Sequence, residues 1–239
     1  MRKMQVILTT VVIFALCISS VVMAQDNDDE GEGDQTIEEL YLQSAEIGLI
    51  REQAVTIDRD MKLLALENLE RLVDDGKIQQ DSADALYLLD YLATEGTTHE
   101  VRVNGRLINN YPIVRKEACE LLGRVGGETA KESLLTVLRQ ENEPMVMSEA
   151  VYALGKIGLN DDGQVANLLA EQLSNQTVVA PDDNFAFATL LAFEKLAEAN
   201  NGIRSPAVYS VLVEVAQGNY IDEVQEKALQ VMDKLRTYR

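Results

Sequence analysis

The stretch VRKEACELLGRVGG, residues 114–127, is followed 32 residues on by VMSEAVYALGKIGL, residues 146–159. Superposed, the two match Ala118 with Ala150, Leu122 with Leu154, Gly123 with Gly155, Val125 with Ile157 and Gly126 with Gly158. Two further steps of 39 residues reach FAFATLLAFEKLAE from Phe185 and VQEKALQVMDKLRT from Val224. Upstream, MKLLALENLERLVD from Met61 keeps the same apolar frame through Ala65, Leu66, Leu69 and Leu72. Five copies of one pattern form an internal repeat, and a repeat decides the architecture before any single motif does.

Helical geometry says what each copy is. At about 100° per residue, Val146, Ala150, Ala153, Leu154 and Ile157 fall on one arc, which Val151 widens. Ser148, Tyr152 and Lys156 make the opposite stripe, which in the preceding copy is Lys116, Glu120 and Arg124, a charged ladder at i, i+4 spacing. So wide an apolar arc suits a helix that touches several neighbours. Between the copies, second helices are predicted over 82–94, 129–139, 164–174 and 206–217. Paired helices repeating every 32 to 39 residues predict an all-α protein, an α-solenoid of helical hairpins.

In that frame the glycines shape the chain. Gly126 and Gly158 follow the last apolar residue of a first helix, where a left-handed residue is wanted, and Gly76 and Gly202 can serve the same end. Gly123 and Gly155 lie inside helices at a cost of ~1 kcal/mol against Ala, so a close approach of the next helix is expected there. Asp161 and Asp162 are expected to cap the following helix. Pro112, Pro144, Pro181 and Pro206 stand at or just before helix starts, with Ser205 as an N-cap. Gly155-Lys156-Ile157 is no phosphate loop, because it lies in a helix and lacks the Ser or Thr that follows the lysine.

The first residues form a separate object. Arg2 and Lys3 precede a charge-free run from Val6 to Val22, and Val22-Met23-Ala24 presents a signal cleavage site after Ala24. The alternative is an inner-membrane anchor made by uncleaved residues 5–24, since the run approaches the length of a bilayer span. Leu16 before Cys17 argues against a lipoprotein. The expected organisation is a signal peptide over 1–24, an acidic linker over 25–36 and the repeat domain over 37–239, exported to the periplasm or beyond the cell. Loss of Arg2 and Lys3 takes the net charge from −19 to −21 and leaves Cys119 as the single cysteine. So acidic a chain repels nucleic acid and anionic membrane, and without a disulfide its stability rests on a hydrophobic core.

The Leu-Gly-x-aliphatic-Gly endings of copies 114–127 and 146–159 resemble HEAT repeats, most of all the short bacterial HEAT-like repeats first associated with phycobilin lyases. The resemblance covers about residues 45 to 238 and is strongest from Val114 to Leu173. It implies a scaffold that binds a protein partner, with the second helices lining a concave side; Glu194 and Asp233 depart from the helix glycine. The alternative it leaves open is a lyase-like enzyme or enzyme subunit holding a ligand in the solenoid cleft. HEAT-like deoxyhypusine hydroxylases hold two irons through several His-Glu pairs, whereas this chain has His99-Glu100 and no other histidine. No nucleophile–base pair is visible, so neither catalysis nor a cofactor or metal is expected. The acidic run DNDDEGEGD, Asp26 to Asp34, fails as a calcium loop because Ile37 stands where the bidentate Glu is required; it reads as a solvated linker, with Thr36 and Glu39 offering a capping box to the first helix. Cys119, on the edge of the apolar arc, reads as a buried, inert thiol.

The departure from the repeat is GTTHEVRVNGRLINNYP, Gly96 to Pro112. Val101-Arg102-Val103 and Arg106-Leu107-Ile108 flank Asn104-Gly105, the signature of a two-residue β-turn. A second insertion, NQTVVAPDDN, is placed at Asn175 to Asn184. Long loops in an economical repeat are where binding concentrates, so Val101, Arg102, Asn104, Gly105, Arg106, Asn109, Asn110 and Tyr111 form the candidate partner-binding loop. The competing reading has the loop fold back over an interface, burying Leu107 and Ile108.

Overall fold

The computed structural model describes residues 37–179 and 181–238. The expected signal peptide, its cleavage after Ala24, the acidic linker and the Thr36 cap all lie outside the described residues. The chain divides into Met1–Leu42 and Gln43–Arg239, and the second unit contains the repeats. In order, the elements are α1 (Ile37–Ala54), α2 (Arg59–Asp74), α3 (Ala83–Thr94), β1 (Arg102–Val103), β2 (Arg106–Leu107), α4 (Pro112–Val125), α5 (Gly127–Gln140), α6 (Pro144–Ile157), α7 (Gln164–Val179), α8 (Asp183–Ala199), α9 (Pro206–Gln217) and α10 (Asp222–Arg236). The described residues form an α-solenoid of HEAT-like hairpins with one small β-hairpin among them. The five copies are α2, α4, α6, α8 and α10.

The arc drawn from periodicity is the buried face. Val146, Ala150, Val151, Ala153 and Leu154 are buried on α6, as are Val114, Ala118 and Leu122 on α4. Ile157 is half-buried, and Tyr152 and Lys156 are exposed. On α4 the opposite stripe carries the expected i, i+4 pair, with Lys116 Nζ 3.8 Å from Glu120. Cys119 is buried on the core side, and burial pushes its thiol pKa far up.

The most extensive packing in the fold is α6 on α8 and α4 on α6. Both junctions are set by glycine. A Cβ on Gly123 would lie 2.6 Å from the Ala153 Cβ, and one on Gly155 2.6 Å from the Ala192 Cα. At the matching position α2 has Glu70 and α8 has Glu194, and there the junction is bridged by charge. Arg124 of α4 reaches Glu70 at 2.8 Å and also pairs with Asp74. Lys227 and Lys234 of α10 reach Glu194 at 2.6 and 3.2 Å. Burial opposes ionisation of Glu194, but hydrogen bonds from Lys227 and Lys234 prevail and hold its carboxyl below the usual range.

Three expectations are corrected. First, α7 runs on through Val179 and α8 begins at Asp183, so the second insertion is mostly extra helix rather than a loop. Second, Asp161 and Asp162 do not cap α7. The Asn160 side chain accepts from the Ala166 N–H at 3.0 Å, and Asp161 instead pairs with Lys131 at 3.1 Å. Third, Gly158 is left-handed (φ 78°, ψ 0°), but Gly126 has φ 73° with ψ −165°. Gly126 and Gly127 both have positive φ, and together they turn α4 into α5 with no linker between. The predicted Ser205 cap forms, its hydroxyl accepting from the Val208 N–H at 3.3 Å. Second helices also pack more closely on the following first helix than α2 does on α3, as the short connections at Glu141–Glu143 and Gly218–Ile221 require.

Three variants test this packing. Gly155→Ala should destabilise the chain by ~1–3 kcal/mol in urea melts despite its better helix propensity, because the new methyl meets backbone. Gly48→Ala, where nothing lies within 4 Å of the new Cβ, should stabilise by up to ~1 kcal/mol. Because the folded-state pKa of Glu194 is depressed, its contribution is present above the unfolded-state pKa and is lost as pH falls through the folded value. Glu194→Gln should therefore flatten the acid limb of a Tm-against-pH curve.

Candidate functional site

The two-residue turn forms as its sequence requires. Asn104 and Gly105 both adopt positive φ (51° and 79°), and the register pairs Arg102 with Leu107 and Val103 with Arg106. Val101 to Arg106 are exposed, Val103 at 50%, while Leu107 and Ile108 are half-buried. Arg102 Nε donates to Glu100 at 2.7 Å, and among the described residues Arg106 has no ion pair.

The base of the insertion is another matter. Asn109 is buried, where its amide donates to the His99 carbonyl at 2.7 Å and accepts from the Val101 N–H at 2.8 Å. Asn110 accepts from Arg115 at 2.8 Å, and the Tyr111 hydroxyl donates to the Ile57 carbonyl at 2.7 Å. These three members of the candidate loop anchor it. The expected single site therefore separates into a clamped base and an exposed tip made by Val101, Arg102, Asn104, Gly105 and Arg106.

Beneath the base lie two buried ion pairs that sequence reasoning missed. Lys62 on α2 donates to the Ala54 carbonyl at 2.6 Å and stands 2.8 Å from Glu95 Oε2, with the Tyr91 ring 5.3 Å from its ammonium. Arg115 on α4 donates to Glu141 at 2.6 Å and to the Glu95 carbonyl at 3.3 Å. Glu141 in turn accepts from the backbone N–H groups of Asn142 and Glu143 before α6. The signal was Lys62 itself, a charged residue set among the apolar positions of its copy. His99 is exposed and stacks on Tyr91 with ring centroids 5.7 Å apart.

A second surface was also missed. An open groove of about 730 Å³ crosses the first-helix row from Lys116 on α4 to Val224 on α10. Met145, Tyr152, Phe187 and Ile221 give it an exposed apolar floor. Glu143, Glu149, Asp182, Asp183 and Glu223 surround that floor. Burial raises the Glu149 carboxyl above its usual range, and Lys116, 3.9 Å away, only partly offsets this. The repeat alignment contained the signal: the stripe that is Lys116 and Glu120 on α4 becomes Ser148 and Tyr152 on α6, then Phe187 and Leu191 on α8. Among the described residues no group of three His, Cys, Asp or Glu side chains is placed to hold a metal ion.

A family model described as HEAT repeats matches residues 106–180. The match runs from β2 to just past α7 and so includes both glycine junctions at their α4 and α6 sides. No curated protein matches the chain. Repeats of this type stack into extended surfaces used for protein binding. No helix among the described residues is long and apolar enough to cross a membrane.

The buried pairs predict an asymmetric mutational result. Lys62→Met should cost ~3–5 kcal/mol by thermal or urea melting, because Glu95 is left charged and buried without its cation. Adding Glu95→Gln should recover much of that loss, since the orphaned charge is then gone.

Proposed function

We propose that this chain is an exported HEAT-repeat scaffold, of the short bacterial type, that binds a protein partner in the cell envelope without catalysis or a cofactor. Removal of the segment ending at Ala24 would leave no membrane attachment in this reading. The observation that carries it is the β-hairpin tip. Val101 and Val103 expose apolar side chains, Val103 paired across the turn with Arg106 and Arg102 exposed on the other face, on a turn whose base is held by Asn109, Asn110 and Tyr111. A rigid mount under an exposed, mixed apolar and basic tip costs little ordering entropy on binding. Two arginines on so acidic a chain also favour a partner surface carrying carboxylates.

The test is capture from envelope extract, read by mass spectrometry, with the natural chain and Arg102→Ala/Arg106→Ala side by side. The variant should lose at least ten-fold of the specifically captured partner, while its helical melt stays unchanged because both side chains are exposed. Equal capture by the two chains would refute the hairpin as the binding element.

A further inference from the structure

The acidic groove on the first-helix row points to a partner of defined chemistry. We propose that it binds a cationic amphipathic helix of a partner protein, laid across α4, α6, α8 and α10. This rests on the scaffold reading and adds to it a second contact, separate from the hairpin tip.

Three observations support that occupant. The floor is apolar and exposed, with Met145 at 42%, Phe187 at 38% and Ile221 at 51% of their full exposure. Such a surface gains from burial against an apolar helix face. The rim is acidic: five carboxylates line the groove against one ammonium, that of Lys116. Among them Glu149 is largely buried, and Lys116 at 3.9 Å and Lys156 do not fully offset the cost of that burial, so an incoming Lys or Arg would relieve a cost the free protein bears. Tyr152 already receives the Lys195 ammonium 5.6 Å from its ring centroid, so the part of the floor left for an incoming helix is Met145, Phe187 and Ile221.

Size and charge select among occupants. Four helices spaced ~8–10 Å apart put the groove ends roughly 24–30 Å from each other, the length of a helix of about 16–20 residues. A second copy of this chain, at net −19, would bring carboxylates to carboxylates. Nucleic acid and anionic lipid are repelled for the same reason.

The chain contains no Trp, so a Trp-bearing peptide reports its own binding. The probe is an 18-residue Leu/Lys amphipathic helix with one Trp on its apolar face, titrated with the full chain. Saturable binding with a blue-shifted emission is expected, at least ten-fold weaker with Phe187→Ala and again with Glu143→Lys/Glu223→Lys. The latter pair is exposed, so it tests the rim without risk to the fold. A scrambled peptide of the same composition should bind at least ten-fold more weakly than the amphipathic one, and a Leu/Glu peptide should not bind. Equal binding of the scrambled peptide, or unchanged binding by both groove variants, would overturn the proposal. So would a dimer of the natural chain that Phe187→Ala converts to monomer, because the groove would then belong to a second copy. Arg102→Ala/Arg106→Ala should bind the peptide as the natural chain does, so failure of the groove and failure of the hairpin are read separately.

Discussion

The close approach of successive first helices governs this structure. Gly123 against Ala153 and Gly155 against Ala192 leave no room for a methyl group, so α4, α6 and α8 stack backbone to small side chain. Each glycine sacrifices helix propensity of ~1 kcal/mol, and the packing of Leu122, Leu154 and Phe193 in the adjoining core offsets it. Core burial supplies the stability, and the glycines determine how near the neighbours come.

Outside the central pair of junctions the rule changes. Glu70 and Glu194 occupy the glycine position, and Arg124, Lys227 and Lys234 cross to meet them. A larger residue at this point holds the helices farther from close packing, and a cleft of about 620 Å³ opens between α2 and α4. Glu117 lines it with its carboxyl raised by burial. The same repeat thus makes two kinds of joint. One is steric and insensitive to pH, and the other is ionic and sensitive to it.

The fold was largely legible because its information is periodic. A recurring Leu-Gly ending identifies a helix, its core face and its exit turn together, and the second helices fell within a residue or two at most ends. Errors arose where a local signal competed with a longer one. Thr177-Val178-Val179 before Pro181 resembles a loop, yet it simply extends α7. Asp161-Asp162 resembles a cap, but Lys131 already takes Asp161 and leaves the role to Asn160. The candidate loop was read as one unit because sequence spacing cannot separate residues facing inward from those facing out; Asn109 is fixed by contacts with Glu95 and His99 that only the folded insertion creates. The groove stayed hidden because it is assembled from two stripe positions on successive copies and from the residues that begin their helices, each unremarkable alone.

The clamp under the insertion has a mechanical meaning. In a stack where each unit touches only its neighbours, a pull on one end can peel the units off in turn. Arg115 ties the end of α3, through the Glu95 carbonyl, to Glu141 beyond α5, and Glu141 holds the entry to α6. Thr98 adds a bond from the insertion to Gln140. Unravelling from the C-terminal side would first break the half-buried bridges of Lys227 and Lys234 to Glu194 and would then meet this buried brace, leaving the hairpin seated on whatever part of the array still stands.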